Sequence, residues 1–449
     1  MNQRLGFAAG LAGAAMVLAA CGGVSSDSDN QSSEGGQAKI TTMGFGLPDE
    51  HATARIDAVK EAHPNIDVQV NEGGFDEQQF LAAVASNEPP DAVYVDRVKL
   101  GSLAARGAVE PIDDCLQKEN IDLGKYREQA VKQVQLDGKT YGMPEFHMVR
   151  VLIINNAAVR EAGLQPQDVS TSDWGRLSEI TTQLARAEGG KLSRIGFDPK
   201  LPEFLPLWAK ANGVDLIGED GKSVQLDSPE VIEAAETTLQ LIQQQGGWAG
   251  FKAFRDSWDF FGAQNQYVTG QLAAMPMEAF YINTLANNSP DVDVTIAPFT
   301  DRDGNPLTLS SGSAWAIPKG AKNRDASCKF ITTMTKTETW LKAANARKAA
   351  LAKEGRKYSG TYTANKEADE KIFDEVYDNQ ENKLIDTGVK VALEIQDDAY
   401  ALPGSPAGSE VIKAYEGALN RALNGQQPIA DALHQAQSEA TEAIERAGS

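Results

Sequence analysis

Short apolar segments alternate with amphipathic segments in the first hundred residues. Residues 66–70 alternate apolar and polar side chains, and residues 91–96 form a short apolar run, so each segment predicts a β-strand. Between them, residues 80–84 carry the apolar stripe of a helix, and a further strand is predicted over 39–44. Strand, helix and strand in this order predict a parallel sheet with right-handed crossovers.

A longer apolar run follows at residues 149–154, interrupted only by Arg150. A run rich in β-branched residues predicts a strand that is buried on both faces. Residues 170–173 then offer N-cap side chains for a helix. Its apolar positions have helical spacing, at Trp174, Leu177, Ile180, Thr181 and Leu184. These patterns together establish an α/β chain.

The predicted strand order also locates a candidate binding site. Ligands of open parallel sheets bind outside the carboxyl ends of the strands. In this chain those ends are the loops at 44–49, 72–75 and 96–97.

The N-terminus has the pattern of an export signal. Arg4 precedes an uncharged apolar segment, residues 5–20, which is too short for a permanent membrane span. The sequence LAAC ending at Cys21, followed by Gly22-Gly23, resembles a bacterial lipobox, in which Cys21 becomes the lipidated first residue. An ordinary signal peptide with an incidental Cys21 is the alternative. No later segment approaches about 20 apolar residues, so lipid would be the only membrane attachment.

Composition narrows the class of partner. The chain has 63 acidic and 42 basic residues, a net charge of −21, and removal of Arg4 with the signal makes it −22. This charge, with no basic run, argues against a nucleic-acid partner. Residues 24–37 are polar and predict a flexible tether. Cys115 and Cys328 could form a disulfide outside the cytoplasm, but two cysteines alone leave that open.

Several motifs, in order, resemble one family. Residues 137–156 read DGKTYGMPEFHMVRVLIINN, residues 89–96 read PPDAVYVD, residues 267–275 read YVTGQLAAM, and residues 310–318 read SSGSAWAIP. This succession is similar to extracellular solute-binding proteins of the maltose-binding type, which serve ATP-driven importers. The resemblance covers nearly the whole chain.

The resemblance implies an α/β fold of two lobes, each a largely parallel sheet flanked by helices, joined by crossover segments. It also places Cys115 and Cys328 in one lobe. The expected divisions are a signal peptide over 1–20, a lipidated Cys21 and tether over 21–38, a first lobe from 39–145 and 298–345, and a second lobe from 146–297 and 346–449.

Candidate ligand contacts are aromatic and polar residues on the predicted cleft loops, because sugar sites pair an aromatic face with groups that bond hydroxyls. Each has a competing role, as a core residue or a solvated surface group. The aromatic candidates are Phe45, Phe75, Trp258, Phe280, Tyr281, Trp315 and Tyr400. The polar candidates are Asp49, Asp96, Arg97, Glu145, His147, Glu278, Ser311 and Ser313, with Gly312 allowing close backbone approach. Glu278 stands where the resembled family usually has glycine, and Phe280 where it has a tryptophan near the ligand.

The expected function is therefore a lipid-anchored receptor that captures a mono- or oligosaccharide by hinge closure and presents it to the permease of an importer. It is expected to be a monomer without catalytic residues, cofactor or metal site. The sequence has no G-x-S-x-G elbow, no Walker loop and no histidine pair with metal-ligand spacing. Two alternatives are a secreted, lipid-anchored carbohydrate hydrolase, which would need a carboxylate pair, and the same receptor binding a polyamine or a phosphate ester.

Overall fold

The computed structural model describes residues 37–47 and 49–448, and the structural statements below concern these residues. Their β-strands are β1 (Ala38–Met43), β2 (Ile66–Val70), β3 (Ala92–Asp96), β4 (Gln135–Leu136), β5 (Lys139–Thr140), β6 (Met143–Pro144), β7 (Arg150–Asn155), β8 (Arg186–Glu188), β9 (Lys191–Phe197), β10 (Leu272–Glu278), β11 (Val294–Ala297), β12 (Phe299–Thr300), β13 (Pro306–Leu307) and β14 (Ser313–Ala316). Their α-helices are α1 (Glu50–Ala62), α2 (Glu77–Ala85), α3 (Arg97–Ala105), α4 (Asp113–Lys118), α5 (Glu128–Gln133), α6 (Asn156–Glu161), α7 (Trp174–Leu184), α8 (Leu205–Ala211), α9 (Pro229–Gln243), α10 (Gly247–Arg255), α11 (Tyr281–Asn288), α12 (Arg324–Met334), α13 (Thr337–Lys353), α14 (Lys366–Lys371), α15 (Lys383–Ile395), α16 (Gly408–Leu423) and α17 (Ile429–Gly448). Short helical turns also lie at Leu123–Lys125, Pro166–Asp168 and Ile372–Val376.

The first sheet has the strand order β2-β1-β3-β14-β6. β1 runs parallel to β2 and β3, whereas β14 runs antiparallel to β3 and β6. The predicted succession of strand, helix and strand over residues 39–96 is confirmed. Helix α1 begins after Asp49, whose carboxylate accepts a hydrogen bond from the backbone N–H of Ala52 (3.1 Å) and so satisfies a free donor of the first turn.

The second sheet has the strand order β11-β7-β10-β9-β8. Every residue of β7 is buried, as the apolar run predicts. Val151 and Ile153 lie in one hydrophobic cluster, whereas Leu152 and Ile154 lie in another. Strand β7 is therefore covered on both faces by separate parts of the second-lobe core.

The two-lobed α/β class is confirmed, but the sheets are mixed rather than largely parallel. Strand β7 runs antiparallel to both β10 and β11, and of the pairings in the second sheet only β9 with β10 is parallel among the described residues. The reason is the route of the chain. Strand β7 begins beside the C-terminal end of β10, and β14 begins beside the C-terminal end of β3. Each therefore runs antiparallel to that neighbour.

Two crossover segments, residues 145–149 and 308–312, connect the sheets. The first leads from β6 to β7 and the second from β13 to β14. They lie side by side, because the backbone N–H of Met148 donates to the carbonyl of Ser311 (2.9 Å) and that of Ser311 donates to the carbonyl of Met148 (3.0 Å). This pairing makes the crossover segments the candidate hinge.

The lobe boundaries differ from the expected ones at two places. Residues 346–353 continue helix α13, which packs against α1 of the first lobe rather than on the second. Trp340 and Leu351, near the two ends of α13, share one hydrophobic cluster, which keeps the whole helix on that side. Phe299 packs against Trp208 of α8 (ring centroids 5.0 Å apart), so the second lobe extends beyond residue 297.

A disulfide joins Cys115 of α4 to Cys328 of α12, with the Cα atoms 5.7 Å apart. Both cysteines are buried in the hydrophobic cluster that also contains Ile40 of β1. The two cysteines thus share the first lobe, as the resemblance implies, although 213 residues separate them in the sequence.

Candidate functional site

Both sheets present strand ends to the crossover segments. In the first sheet, Asp96 ends β3 opposite Ser313, where β14 begins. In the second sheet, Glu278 ends β10 opposite Arg150, where β7 begins. Since the crossover segments enter the sheets at these edges, the loops there line a cleft between the lobes. We call residues 44–47 with Asp49, 71–76 and 96–97 the first wall, and the loops at 198–204, 259–261 and 278–281 the second wall.

On the first wall, the predicted aromatic residues are largely covered. Phe45 is buried, and its ring centroid lies 5.4 Å from that of Tyr94. Phe75 is half-buried and packs against Phe80 at 5.5 Å. Asp49 uses its carboxylate to cap α1. Each of these three side chains is buried, packed against another ring or used as a helix cap. We therefore assign them to stabilising the wall rather than to contacting a ligand.

At the end of β3 the two adjacent candidates have opposite environments. The side chain of Asp96 is 62% exposed and lies 3.7 Å from the ammonium of Lys99. Arg97 is fully buried, and its Nε donates to Gln133 (2.9 Å). Its Nη1 donates to the carbonyl of Phe146 in the first crossover segment. Asp96 therefore faces solvent, whereas Arg97 holds a crossover segment.

Gly312 allows the crossover segments to approach each other. Its carbonyl accepts from the backbone N–H of Arg97 (2.9 Å), and a Cβ at this position would lie 2.0 Å from the carbonyl oxygen of Phe146. The close approach at Gly312 is therefore between two backbone segments of the protein, rather than between the backbone and a ligand. Ser311 and Ser313, which flank it, are engaged through their backbones, Ser311 with Met148 and Ser313 with Asp96.

Glu145 and Trp315 lie beneath the first wall. Glu145 is fully buried and forms an ion pair with Arg55. Burial raises the pKa of Glu145, and the positive charge of Arg55 opposes that rise. Trp315 is also fully buried, with its ring 4.9 Å from that of Phe45. Neither side chain is exposed to the cleft in this conformation.

His147 lies inside the first crossover segment. It is fully buried, and its Nε2 lies 3.2 Å from the carbonyl of Gln396. Burial, with the nearby positive charges of Arg97 and Arg127, lowers the pKa of His147 well below its ordinary value. The imidazole is therefore neutral at pH 7 and belongs to the hinge.

The second wall carries exposed aromatic rings. Phe280 lies two residues after the end of β10 and is 44% exposed. Tyr281 is buried beside it, and its ring contacts those of Phe260 (4.9 Å) and Phe261 (6.1 Å). Phe261 is 57% exposed. The structure thus brings Tyr281 together with two rings, Phe260 and Phe261, that are not among the predicted ligand contacts.

Trp258 and Tyr400 have other surroundings. Trp258 is buried in the second-lobe core, with its ring 6.2 Å from that of Phe254. Tyr400 lines a separate cavity of about 560 Å³, together with Asp137 of the first lobe and Lys210 of the second. The Lys210 ammonium lies 5.1 Å from the Tyr400 ring centroid. Tyr400 is therefore not part of the two walls.

Metal ligation and membrane crossing are two further properties on which the described residues bear. No group of three or more histidine, cysteine, aspartate or glutamate side chains in residues 37–47 and 49–448 could hold a metal ion. Within the same residues, no helix is long and apolar enough to cross a membrane. Cys21 and the predicted signal and tether up to residue 36 lie outside the described part of the chain.

Two α/β lobes joined by paired crossover segments have the architecture of a two-lobed binding protein. The sequence comparison agrees with this class. A model of the bacterial extracellular solute-binding protein family matches residues 49–339. The chain belongs to this family.

Individual relatives and solved structures are similar at low identity. The diacetylchitobiose binding protein DasA of Streptomyces coelicolor is 24% identical over 351 residues, which are 74% of this chain and 77% of that protein. The maltooligosaccharide ABC transporter solute-binding lipoprotein of Streptococcus pneumoniae R6 is 22% identical over 347 residues, 72% of this chain and 74% of that one. CpMnBP1 with mannobiose bound has a TM-score of 0.73 and 23% identity, covering 90% of this chain and 100% of that one. Maltose-bound MalE3 of T. maritima has a TM-score of 0.66 and 20% identity, covering 90% and 99%. The structural likenesses confirm the fold.

Proposed function

We propose that this protein is the receptor of an ATP-driven importer, which captures a mono- or oligosaccharide between its lobes and delivers it to the permease. The observation that carries the proposal is Phe280, a large apolar ring exposed on the second wall beside Glu278. Such a ring can cover the C–H face of a sugar while a neighbouring carboxylate accepts from its hydroxyls. The names of the relatives, which specify diacetylchitobiose and maltooligosaccharides, support a sugar as the solute.

Capture would proceed by closure of the lobes about the crossover segments. Because the two segments are paired through Met148 and Ser311, they would bend as one unit. A solute favours the closed form only to the extent that it binds that form more tightly. A sugar that contacts Asp96 on the first wall and Phe280 on the second would meet this condition.

A receptor releases its solute unchanged, which separates it from the hydrolase alternative. A glycosidase needs two carboxylates placed on either side of the scissile bond. Of the two glutamates considered, Glu145 is fully buried against Arg55, so it cannot act on a solute next to Glu278 without rearrangement. Chromatography of maltotriose or diacetylchitobiose after prolonged incubation with the protein should recover the intact sugar. Accumulation of cleavage products would favour the hydrolase.

Phe280→Ala should weaken sugar binding about 5- to 150-fold. The reason is that loss of a stacking ring removes about 1–3 kcal/mol, taking buried apolar area at ~25 cal/mol/Å². Because Phe280 is 44% exposed, the substitution should change the melting temperature little. Titration calorimetry with mannobiose, maltotriose and diacetylchitobiose, beside a melting curve, measures both effects.

Val268→Ala is the matched control for Phe280→Ala. Val268 is 42% exposed and precedes the start of β10, whereas Phe280 follows its end. The two side chains therefore lie at opposite ends of this strand. Its loss should leave sugar affinity unchanged. Equal affinities for Phe280→Ala and the parent protein would remove the second wall from the binding site.

We also propose that the mature protein is anchored outside the cytoplasm by lipid on Cys21. The support is the LAAC sequence before Gly22-Gly23, together with the term lipoprotein in the name of the pneumococcal relative. Lipid chains on this cysteine would supply the anchoring that stable membrane attachment requires.

Cys21→Ala should therefore move the receptor from the membrane fraction to the soluble fraction. Strand β1 begins at Ala38, well after this residue, and we expect sugar affinity and melting temperature to stay as in the parent protein. Fractionation of expressing cells followed by immunoblotting gives the distribution. Retention of the variant in the membrane fraction would show that something other than lipid on Cys21 holds it there.

A further inference from the structure

Arg150 and Glu278 form an ion pair beside the second wall, where β10 ends and β7 begins. They lie directly opposite each other in the β7–β10 ladder, and Nη2 of Arg150 is 3.4 Å from Oε1 of Glu278. Arg150 is held on its other side by the crossover segments, since Nη1 donates to the carbonyls of Met148 (3.2 Å) and Leu309 (3.0 Å). Its guanidinium carbon also lies 5.4 Å from the ring centroid of Phe204. The cation is therefore fixed in position.

The two members of the pair differ in their access to solvent. The side chain of Arg150 is 8% exposed and that of Glu278 is 20% exposed. Glu278 is also only two residues before the exposed ring of Phe280. A solute stacked on the second wall can thus reach the carboxylate of Glu278, whereas Arg150 lies behind it.

Two further ion pairs lie at these strand ends. Lys200 lies 3.5 Å from Glu203 on the second wall, and Lys99 lies 3.7 Å from Asp96 on the first. Glu72 on the first wall and Asp259 on the second are exposed carboxylates without an ion pair among the described residues, so the surplus charge of the walls is negative. A phosphate ester would instead need uncompensated guanidinium or ammonium groups.

Building on the proposed function, we propose that Glu278 determines the specificity of the cleft for uncharged sugars. Its carboxylate accepts hydrogen bonds from sugar hydroxyl groups, and Arg150 is the positioning residue that orients and neutralises it. A phosphate ester in the closed cleft would bury its charge beside carboxylates, and a cationic amino sugar would meet a Glu278 carboxylate that Arg150 already neutralises, so neither charge is well compensated there. A neutral hydroxyl adds a donor for the carboxylate and no charge.

The test compares neutral and charged probes by calorimetry. The neutral probes are mannobiose, maltotriose and diacetylchitobiose, and the charged probes are deacetylated chitobiose, spermidine and glucose 6-phosphate. The parent protein should prefer a neutral probe. Glu278→Gln should weaken binding of that probe about 10- to 150-fold, as expected for loss of a hydrogen bond to a charged group. It should also raise the affinity ratio of glucose 6-phosphate to the neutral probe, because Arg150 loses its ion-pair partner.

The matched control is Glu233→Gln. Glu233 is paired with Arg302 at the same 3.4 Å distance, but its side chain is 56% exposed and it lies on α9, away from the walls. The control makes the same change in net charge and should bind all probes as the parent protein does. A loss of affinity shared by both variants would overturn the inference, because it would reflect net charge alone.

Arg150→Met tests the positioning role. This variant leaves Glu278 without its counter-charge, so selectivity should move toward deacetylated chitobiose. Arg150→Lys keeps a positive charge and should retain the preference for the neutral sugar. A purely structural role of Arg150 would lower the melting temperature without moving selectivity. If Glu278→Gln fails to fold, Glu278→Asp, which withdraws the carboxylate but keeps its charge, should show the same loss of affinity for the neutral probe.

The outcomes separate this inference from the proposed function. If the parent protein binds sugar and Glu278→Gln binds it with equal affinity, the role of Glu278 is overturned. The proposed function as a sugar receptor is then unaffected. Tighter binding of spermidine or glucose 6-phosphate than of every neutral probe overturns both the specificity assignment and the sugar as solute. If the parent protein binds none of the probes, the proposed function and this inference fail together.

Discussion

Trp315→Ala should lower the free energy of unfolding by about 3–5 kcal/mol, the usual cost of deleting a large ring from a packed core. Trp315 is fully buried in β14, and its ring centroid lies 4.9 Å from those of Phe45, Tyr94 and Phe330. The surrounding rings are rigid, so the space left by the indole should collapse only partly. Denaturant unfolding followed by circular dichroism measures the change, provided that the transition has a single step.

Trp315 and Phe280 are both candidate ligand contacts by sequence, yet their substitutions have opposite expected results. Phe280→Ala should change affinity and leave the unfolding transition in place, so it is the natural control for Trp315→Ala. In the Trp315→Ala protein that remains folded, sugar affinity should be close to that of the parent protein. A normal unfolding midpoint combined with lost affinity would place Trp315 in the binding site instead.

The parts of the fold that depend on local pattern could be predicted from the sequence. The 149–154 run predicts a strand covered on both faces, and β7 is buried at every position. Asp173 was predicted to lie among the capping residues of a helix, and its carboxylate accepts from the backbone N–H of Arg176 (3.0 Å). Both features are decided by neighbours within a few residues, which is why a single sequence contains them.

The environment of the crossover residues could not be read in the same way. Arg97, His147 and Gly312 are distant in sequence. Their burial follows from the side-by-side pairing of two segments about 160 residues apart. Local sequence pattern does not specify such a long-range arrangement. Position near a strand end does not distinguish side chains that are buried at the crossover segments from those that face solvent.

Phe261 shows the converse difficulty. It belongs to an aromatic-rich segment, residues 248–261, in which no period separates the core rings from the exposed ones. In the structure Trp248 and Phe251 are buried in the core, whereas Phe261 is exposed because Tyr281 and Phe260 pack beneath it. The partner that decides its exposure lies on α11, outside the segment.

Replacing both Cys115 and Cys328 by alanine should reduce the free energy of unfolding by up to about 5 kcal/mol. The disulfide connects positions 213 residues apart, and the segment it closes contains the whole second sheet, β7 to β11. A cross-link over so long a loop removes much of the entropy of the unfolded chain, about 5 kcal/mol in the chain-entropy model, while measured losses are typically 2–5 kcal/mol. Guanidinium unfolding of the parent and the double variant gives the difference.

Reduction provides an independent check of the same quantity. The parent protein in excess dithiothreitol should unfold at the midpoint of the double variant, and the double variant should not respond to the reductant. Both cysteines are buried in the first-lobe core, so sugar affinity should remain unchanged in the folded double variant. An unfolding midpoint that reductant leaves unaltered would mean that the two thiols are not joined in the mature protein, since an intact loop of this length must contribute to stability through the unfolded state.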